Sequence, residues 1–299
     1  MKTIKAISIR KAVADLCVKA SVVLRADVLA ALKRALAREK NMRARHLLQV
    51  IIDNAVCARA RGLAICQDTG MPVVFLEVGT NVKISGDLKS AVNRGVEDGY
   101  RLGCLRDSIV RDPLSRGKPE YAPAVIHIDI VPGSILKISV LPKGFGCENE
   151  SQLKMFKPTA GIEEIKKFII EAVRAAGPDA CPPYILGVGI GGTADYACLL
   201  AKKALLRKLT TNDGRRTTDD PSTALGASVR RTTEDERRTT NLERELLRAI
   251  NNLNIGPMGL GGATTALAVH IETYPTHIAG LPVAVNISCH ALRSASACL

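Results

Sequence analysis

The sequence contains no tryptophan, and its four phenylalanines and five tyrosines make up only 3% of 299 residues. Platforms that stack unpaired bases are built from exposed aromatic rings, so this scarcity weighs against single-strand nucleic-acid binding. No stretch of about 18 uncharged apolar residues occurs, which leaves no candidate for a transmembrane helix. The opening "MKTIKAISIRKAV" interrupts its apolar run with Arg10 and Lys11, so it lacks the continuous apolar centre of a secretory signal. Paired Cys-x-x-Cys spacing is absent too. The nine cysteines are odd in number and irregularly placed, which argues against a disulfide framework and for reduced thiols, some of them candidate metal ligands. These absences lead to the expectation of a soluble, cytoplasmic protein that contacts neither membrane nor nucleic acid.

Positive charge, by contrast, is plentiful: the net charge is +13, and residues 1–62 hold 14 Lys and Arg against 4 Asp and Glu. Such an excess suits nucleic acid, an acidic surface or an anionic substrate. Its concentration on the opening helices reads most simply as a solvated helical face.

At this length and with 46% hydrophobic content, the chain can bury one large core or two smaller ones. Residues 4–61 read as successive amphipathic helices, with Leu29, Leu32 and Leu36 at helical spacing and Gly62 as a stop. "PVVFLEVGTNVKI" reads as strand and "DLKSAVNRGVEDGYRL" as helix. "PAVIHIDIVPGSILKISVLP" holds two β-like runs split by Pro132-Gly133, a hairpin signal. "GIEEIKKFIIEAVRAAG" is a helix ending at Gly177. "CPPYILGVGIGG" is a strand running into "TADYACLLAKKALLRKL", and a last helix covers 241–253 before the strand "LPVAVNISC". The fold class is therefore α/β: N-terminal helices, then a mixed, partly parallel sheet with interleaved helices. We expect a single domain over 1–299, interrupted at 210–240 by a polar insertion in which "RRTT" appears three times.

Two patterns invite chemistry. Gly187-Val-Gly189-Ile-Gly191-Gly192 satisfies G-x-G-x-x-G between a strand and a helix, and Asp213 follows about twenty residues on. No second strand precedes that acid, so the βαβ unit is incomplete and the glycines read instead as a place of close backbone approach. The other pattern is scattered: Cys66 in "CQDTG", Cys181 in "ACPPY" and Cys289 in "ISCHALR" each stand at a junction beside polar or stiff neighbours. Cys17, Cys57, Cys104 and Cys198 fall among apolar residues, where a thiol behaves as a small buried hydrophobe. Spacing alone does not bring three such distant cysteines together.

The blocks "AICQDTG", "LRDSIV", "PKGFGCENESQLKMFKP", "ACPPYILGVGIGGTADYA", "IGPMGLGGATTALAVHIE" and "THIAGLPVAVNISCHALR" occur in this order. Together they resemble the alpha subunit of class I, iron–sulfur-dependent fumarate hydratase, a family that includes L-tartrate dehydratase. The resemblance runs over about residues 4–293 apart from the insertion. It implies that Cys66, Cys181 and Cys289 hold a [4Fe-4S] cluster, leaving one iron without a protein sulfur and available as a Lewis acid for hydration and dehydration. It further implies that Gln67 contacts substrate, that Asp68 takes part in proton transfer, and that Arg106 binds a substrate carboxylate. Lys143, Gly144 and His277 match substrate-site positions. Arg293 lies close after a ligand, while His46, His127 and His270 read as structural. The sequence departs from the family pattern at Phe145 and Cys147, which stand where a glycine and a serine are usual, and at "EYAPA" over 120–124, where an Asn-Thr-Pro-Ala sequence is usual. Glu148-Asn149 matches the fumarate branch.

The resemblance also implies a separate beta subunit, because single-chain relatives continue into a second domain where this sequence stops. The expected activity is reversible hydration of fumarate to L-malate, with L-tartrate dehydration as the alternative, by a hetero-oligomer acting on a small dicarboxylate. The competing reading is a noncatalytic basic protein that binds nucleic acid. Iron and sulfide analysis after anaerobic purification separates them: the hydro-lyase is brown with an absorption band lost in air, whereas a colourless protein with salt-sensitive nucleic-acid affinity supports the alternative. The chain alone should hold the cluster yet show little hydratase activity, and strong turnover without a partner would refute the missing half.

Overall fold

The computed structural model describes residues 1–209 and 233–299. In chain order, β1 (Lys2–Lys5), α1 (Ala6–Val22), α2 (Ala26–Arg38) and α3 (Met42–Arg61) come first. β2 (Met71–Gly79), β3 (Val82–Ser85), α4 (Leu88–Leu102), β4 (Ile109–Asp112), β5 (Arg116–Glu120), β6 (Val125–Val131) and β7 (Leu136–Lys143) follow. Then come α5 (Phe145–Glu148), β8 (Gln152–Phe156), α6 (Ile162–Ala176), β9 (Tyr184–Gly192) and α7 (Ala194–Ala204). The second described stretch carries α8 (Thr233–Asn251), β10 (Ala266–Thr276), β11 (Leu281–Ser288) and β12 (Ala295–Cys298). The class is mixed α/β, with parallel pairs β1–β3, β2–β6 and β9–β10 among antiparallel ones. No described helix is long and apolar enough to cross a membrane.

The chain forms two compact units. The first comprises residues 1–25, 54–145 and 293–299. Its main sheet has the order β12-β7-β2-β6. One sheet face, with Val74, Leu76, Leu136, Ile138 and Val140, joins a core with Ile9, Val13, Leu16 and Cys17 of α1 and Val92, Val96 and Tyr100 of α4. Removing each such aliphatic side chain from water contributes about 1.5–3 kcal/mol. Asp87 starts α4 by accepting from the Ser90 N–H at 3.0 Å.

The Pro132-Gly133 turn is not a hairpin. β6 and β7 lie on either side of β2, parallel and antiparallel to it. The turn instead passes over the end of β2: the Gly79, Thr80 and Asn81 N–H groups donate to Ile135, Val131 and Gly133 carbonyls at 2.8–3.0 Å. Likewise "PVVFLEVGTNVKI" makes two strands in different sheets, because β3 pairs with β1.

The second unit comprises residues 26–53 and 146–292. Its sheet has the order β10-β9-β11-β8. α6 begins with Glu163 and Glu164 in its first turn and buries Ile165, Ile169, Ala172, Val173 and Ala176 at helical spacing. These join Leu246 and Ile250 of α8 and Tyr184, Leu186 and Val188 of β9 in the core. The expected insertion at 210–240 needs revision at its end. α8 starts at Thr233, so the third "RRTT" is helical, and Glu234, Asp235 and Glu236 in the first turn favour that start. Residues 210–232 lie outside the described residues.

The glycine-rich run is strand, not a phosphate loop. Gly187 and Gly189 sit within β9, and a Cβ on either would stand 1.9 Å from the Ala201 carbonyl oxygen or 2.0 Å from that of Ala197. α7 therefore lies directly on the strand backbone, with Ala197, Ala201 and Ala284 completing a contact of small residues. Gly189→Ala should cost about 3 kcal/mol or more, because main-chain atoms of α7 must move to admit one methyl group. Urea unfolding measures this, and a loss below about 1 kcal/mol would contradict the contact.

Candidate active site

In the first unit the "CQDTG" run links the end of α3 to β2, and its geometry is set by the peptide of Lys143 at the end of β7. Gly70 has φ +79°, and a Cβ there would stand 2.8–2.9 Å from the Lys143 main chain. Only glycine fits both the conformation and the space. The buried Tyr100 hydroxyl donates to the Gly70 carbonyl at 2.9 Å and to that of Thr69 at 3.3 Å. Burial, the largest cause, pushes the Tyr100 hydroxyl above its usual range, with a smaller push from Cys17, so it remains a donor. Thr69 ties in the next segment, accepting from the Arg106 N–H at 3.0 Å and donating to the Arg106 carbonyl at 3.3 Å.

Asp68 is half-buried, and both carboxylate oxygens accept main-chain bonds: Oδ1 from Gly70 at 3.0 Å and Oδ2 from Phe145 at 2.8 Å. Gly144 is adjacent, since a Cβ there would lie 3.0 Å from Asp68 Oδ2 and 3.2 Å from Arg293 Nη2. Arg293 is 4% exposed, and its Nη1 donates to the Asp68 carbonyl oxygen. The Cys66 thiol is 3.7 Å from Gln67 Oε1. Arg106 has an exposed side chain, whereas Lys143 is buried. Thus Asp68, Lys143 and Gly144 come together around the Cys66–Gly70 turn, with Arg106 tethered to it through Thr69. Asp68 both caps a turn and presents a fixed carboxylate.

In the second unit Cys181 and Cys289 are linked through His290. The His290 ring Nδ1 lies 3.0 Å from the Cys181 carbonyl oxygen, and the His290 N–H donates to it at 3.4 Å. Cys181 takes a left-handed φ of 54°, uncommon for a residue with a side chain. Both cysteines are half-buried, whereas Cys147 is buried with its thiol 3.6 Å from the Ala180 carbonyl oxygen. His277 lies in the exposed turn between β10 and β11, where its Nδ1 accepts from the Ala279 N–H at 3.1 Å.

All nine cysteines are thiols. Of the four expected to be buried, only Cys17 is; Cys57, Cys104 and Cys198 are exposed, because apolar neighbours along a helix do not fix which side a residue faces. Among the described residues, no three His, Cys, Asp or Glu side chains are grouped to hold a metal ion. A cubane differs from a single ion in taking one thiolate per iron, and half-buried thiols are the donor type it uses. Sequence reasoning missed Tyr100, Thr69 and His290, which hold the turns from behind. Thr69 and His290 stand in the motifs around Cys66 and Cys289, whereas nothing in the local pattern marks Tyr100. His127 stacks on Phe75, and the buried His270 ring lies 3.1 Å from the Ala204 carbonyl, as structural histidines do.

Tyr100→Phe removes the donor to two carbonyls and should lower stability by about 1–2 kcal/mol. The folded hydroxyl titrates above its unfolded value, so its contribution is complete at lower pH and declines above the ordinary value of 10.0. Urea unfolding of both proteins across this range checks sign and size.

The family described as fumarate hydratase (Fumerase) matches residues 10–298. A Methanocaldococcus jannaschii protein, provisionally named L(+)-tartrate dehydratase subunit alpha, is 40% identical over 291 residues, covering 95% of this chain and 94% of its own length. The L(+)-tartrate dehydratase subunit alpha of Escherichia coli K12 is 30% identical over 271 residues, covering 89% and 82%. The chain belongs to the fumarate hydratase (Fumerase) family.

Proposed function

We propose that this chain is the alpha subunit of a two-subunit hydro-lyase that adds water to fumarate and removes it from L-malate. The observation that carries the reading is Asp68: a half-buried carboxylate fixed by two main-chain donors, beside Gly144 and one turn of chain from Cys66. The family description supports the activity, and the word "alpha" in both relatives' names supports a beta partner.

The proposed cluster ligands are Cys66, Cys181 and Cys289. When bound, a [4Fe-4S] cluster with three protein thiolates supplies Lewis acidity toward a substrate hydroxyl. The chain's own residues divide the remaining work. Asp68 moves a proton at its carboxylate, alone or with a group of the partner subunit. The exposed Arg106 guanidinium offers a planar pair of donors to a substrate carboxylate. Gln67 and His277 contribute hydrogen bonds, the buried Lys143 contributes positive charge from beneath the site rather than by contact, and Gly144, having no Cβ, leaves room beside the Asp68 carboxylate.

L(+)-tartrate dehydration is the second reading, favoured by the names of both relatives. The Glu148-Asn149 pair does not decide between them. Glu148 bonds Lys202, and its Oε2 accepts from the Asn286 amide at 3.0 Å, a role inside the scaffold that either substrate is compatible with. Turnover of fumarate, L-malate and L(+)-tartrate by the anaerobically reconstituted pair tests the proposal. Fumarate and L-malate should be interconverted at kcat/KM about tenfold or more above the tartrate value. The reverse ratio assigns tartrate, and no turnover of any of them refutes the hydro-lyase reading.

A further inference from the structure

Arg293 is a buried cation that the chemistry above does not use. It is 4% exposed, and among the described residues its hydrogen bond goes to a main-chain oxygen and it forms no ion pair. Burying a guanidinium is costly, so a structural scaffold gains little from one that meets only a carbonyl. Its surroundings supply a reason. Arg293 holds the main-chain end of Asp68, while the Gly70 and Phe145 N–H groups hold the carboxylate. Three donors therefore fix both ends of one acid. Arg293 Nη2 and Asp68 Oδ2 also stand against the same point, 3.2 and 3.0 Å from where a Cβ at position 144 would be. So little of the side chain is exposed that a ligand has almost no surface to touch.

We propose that Arg293 is a positioning residue that clamps the Asp68 peptide and so sets the aim of the Asp68 carboxylate and the order of the Cys66–Gly70 turn, without itself contacting substrate. The kinetic part of this inference rests on the hydro-lyase reading; the part concerning the turn does not.

Two variants of the full chain, Arg293→Met and Arg293→Lys, test it with two readouts. In complex with the beta subunit, R293M should lower kcat roughly 10- to 100-fold with KM within about threefold of wild type. R293K keeps a charge and a donor but not the planar fork, and should recover part of the loss. In the chain without cluster, alkylation followed by peptide mapping should show Cys66 reacting about fivefold faster or more in R293M, with the exposed Cys57 and Cys104 unchanged as internal references.

A raised KM at unchanged kcat would overturn the proposal by making Arg293 a substrate contact. Wild-type kcat together with wild-type Cys66 labelling would overturn it as well. Should R293M not fold, R293K decides on the same readouts: a partial kcat loss with faster Cys66 labelling supports the clamp, and wild-type values for both refute it. If the wild-type pair turns over no dicarboxylate, the hydro-lyase reading fails, and Cys66 labelling alone decides the clamp.

Discussion

The close seating of the Cys66–Gly70 turn on the Lys143–Gly144 main chain is the constraint on which the first unit's candidate site depends. A turn that meets another backbone at van der Waals distance cannot drift without breaking several contacts at once. Gly70 makes the approach sterically possible. The Tyr100 hydroxyl anchors the carbonyls at its rear, and Thr69 carries the Arg106 segment along with it. Asp68 is thereby presented on a frame whose parts come from the α3–β2 junction, the α4 core helix, the end of β7 and the chain just before β12. A side chain keeps one aim when rigid elements support it, and here the loop gains its support from what lies beneath it.

The second unit reaches a similar result by a different route. Its glycines and alanines on β9, β11 and α7 remove side-chain volume, so the helix rests on the sheet main chain. The opposite face of the sheet is filled by the larger residues of α6, α8 and β9. Cys181 and Cys289 lie at loop positions beside this framework, held in register by the His290 contacts to the Cys181 carbonyl. In both units an aromatic or imidazole group behind the turn fixes a carbonyl, leaving the chemically interesting side chain to face elsewhere.

Helix positions were legible in the sequence wherever periodicity and end signals agreed, as at α6, with its acidic first turn and Gly177 stop. Strand partners were not. The Pro132-Gly133 turn announces a change of direction but carries no information that β2 will insert between β6 and β7, because that depends on contacts far along the chain. The start of α8 was misplaced for the opposite reason: a polar surface helix with few large apolar residues looks like loop until its first-turn charges are weighed. Cysteine exposure was legible only at Cys17, where the whole helix face is buried. The Cys66–Gly70 and Lys143–Gly144 runs stood out by their motifs and Arg293 by its place after Cys289, whereas Tyr100 acts through carbonyl oxygens, which every residue has.

The outward-facing thiols of Cys57, Cys104, Cys198 and Cys298 have a practical consequence. Each can meet a thiol of another molecule in solution, so oxidising conditions cross-link chains into covalent oligomers by a process unrelated to any cofactor. A reductant breaks these sulfur–sulfur bonds, so oligomers of this origin disperse when it is added.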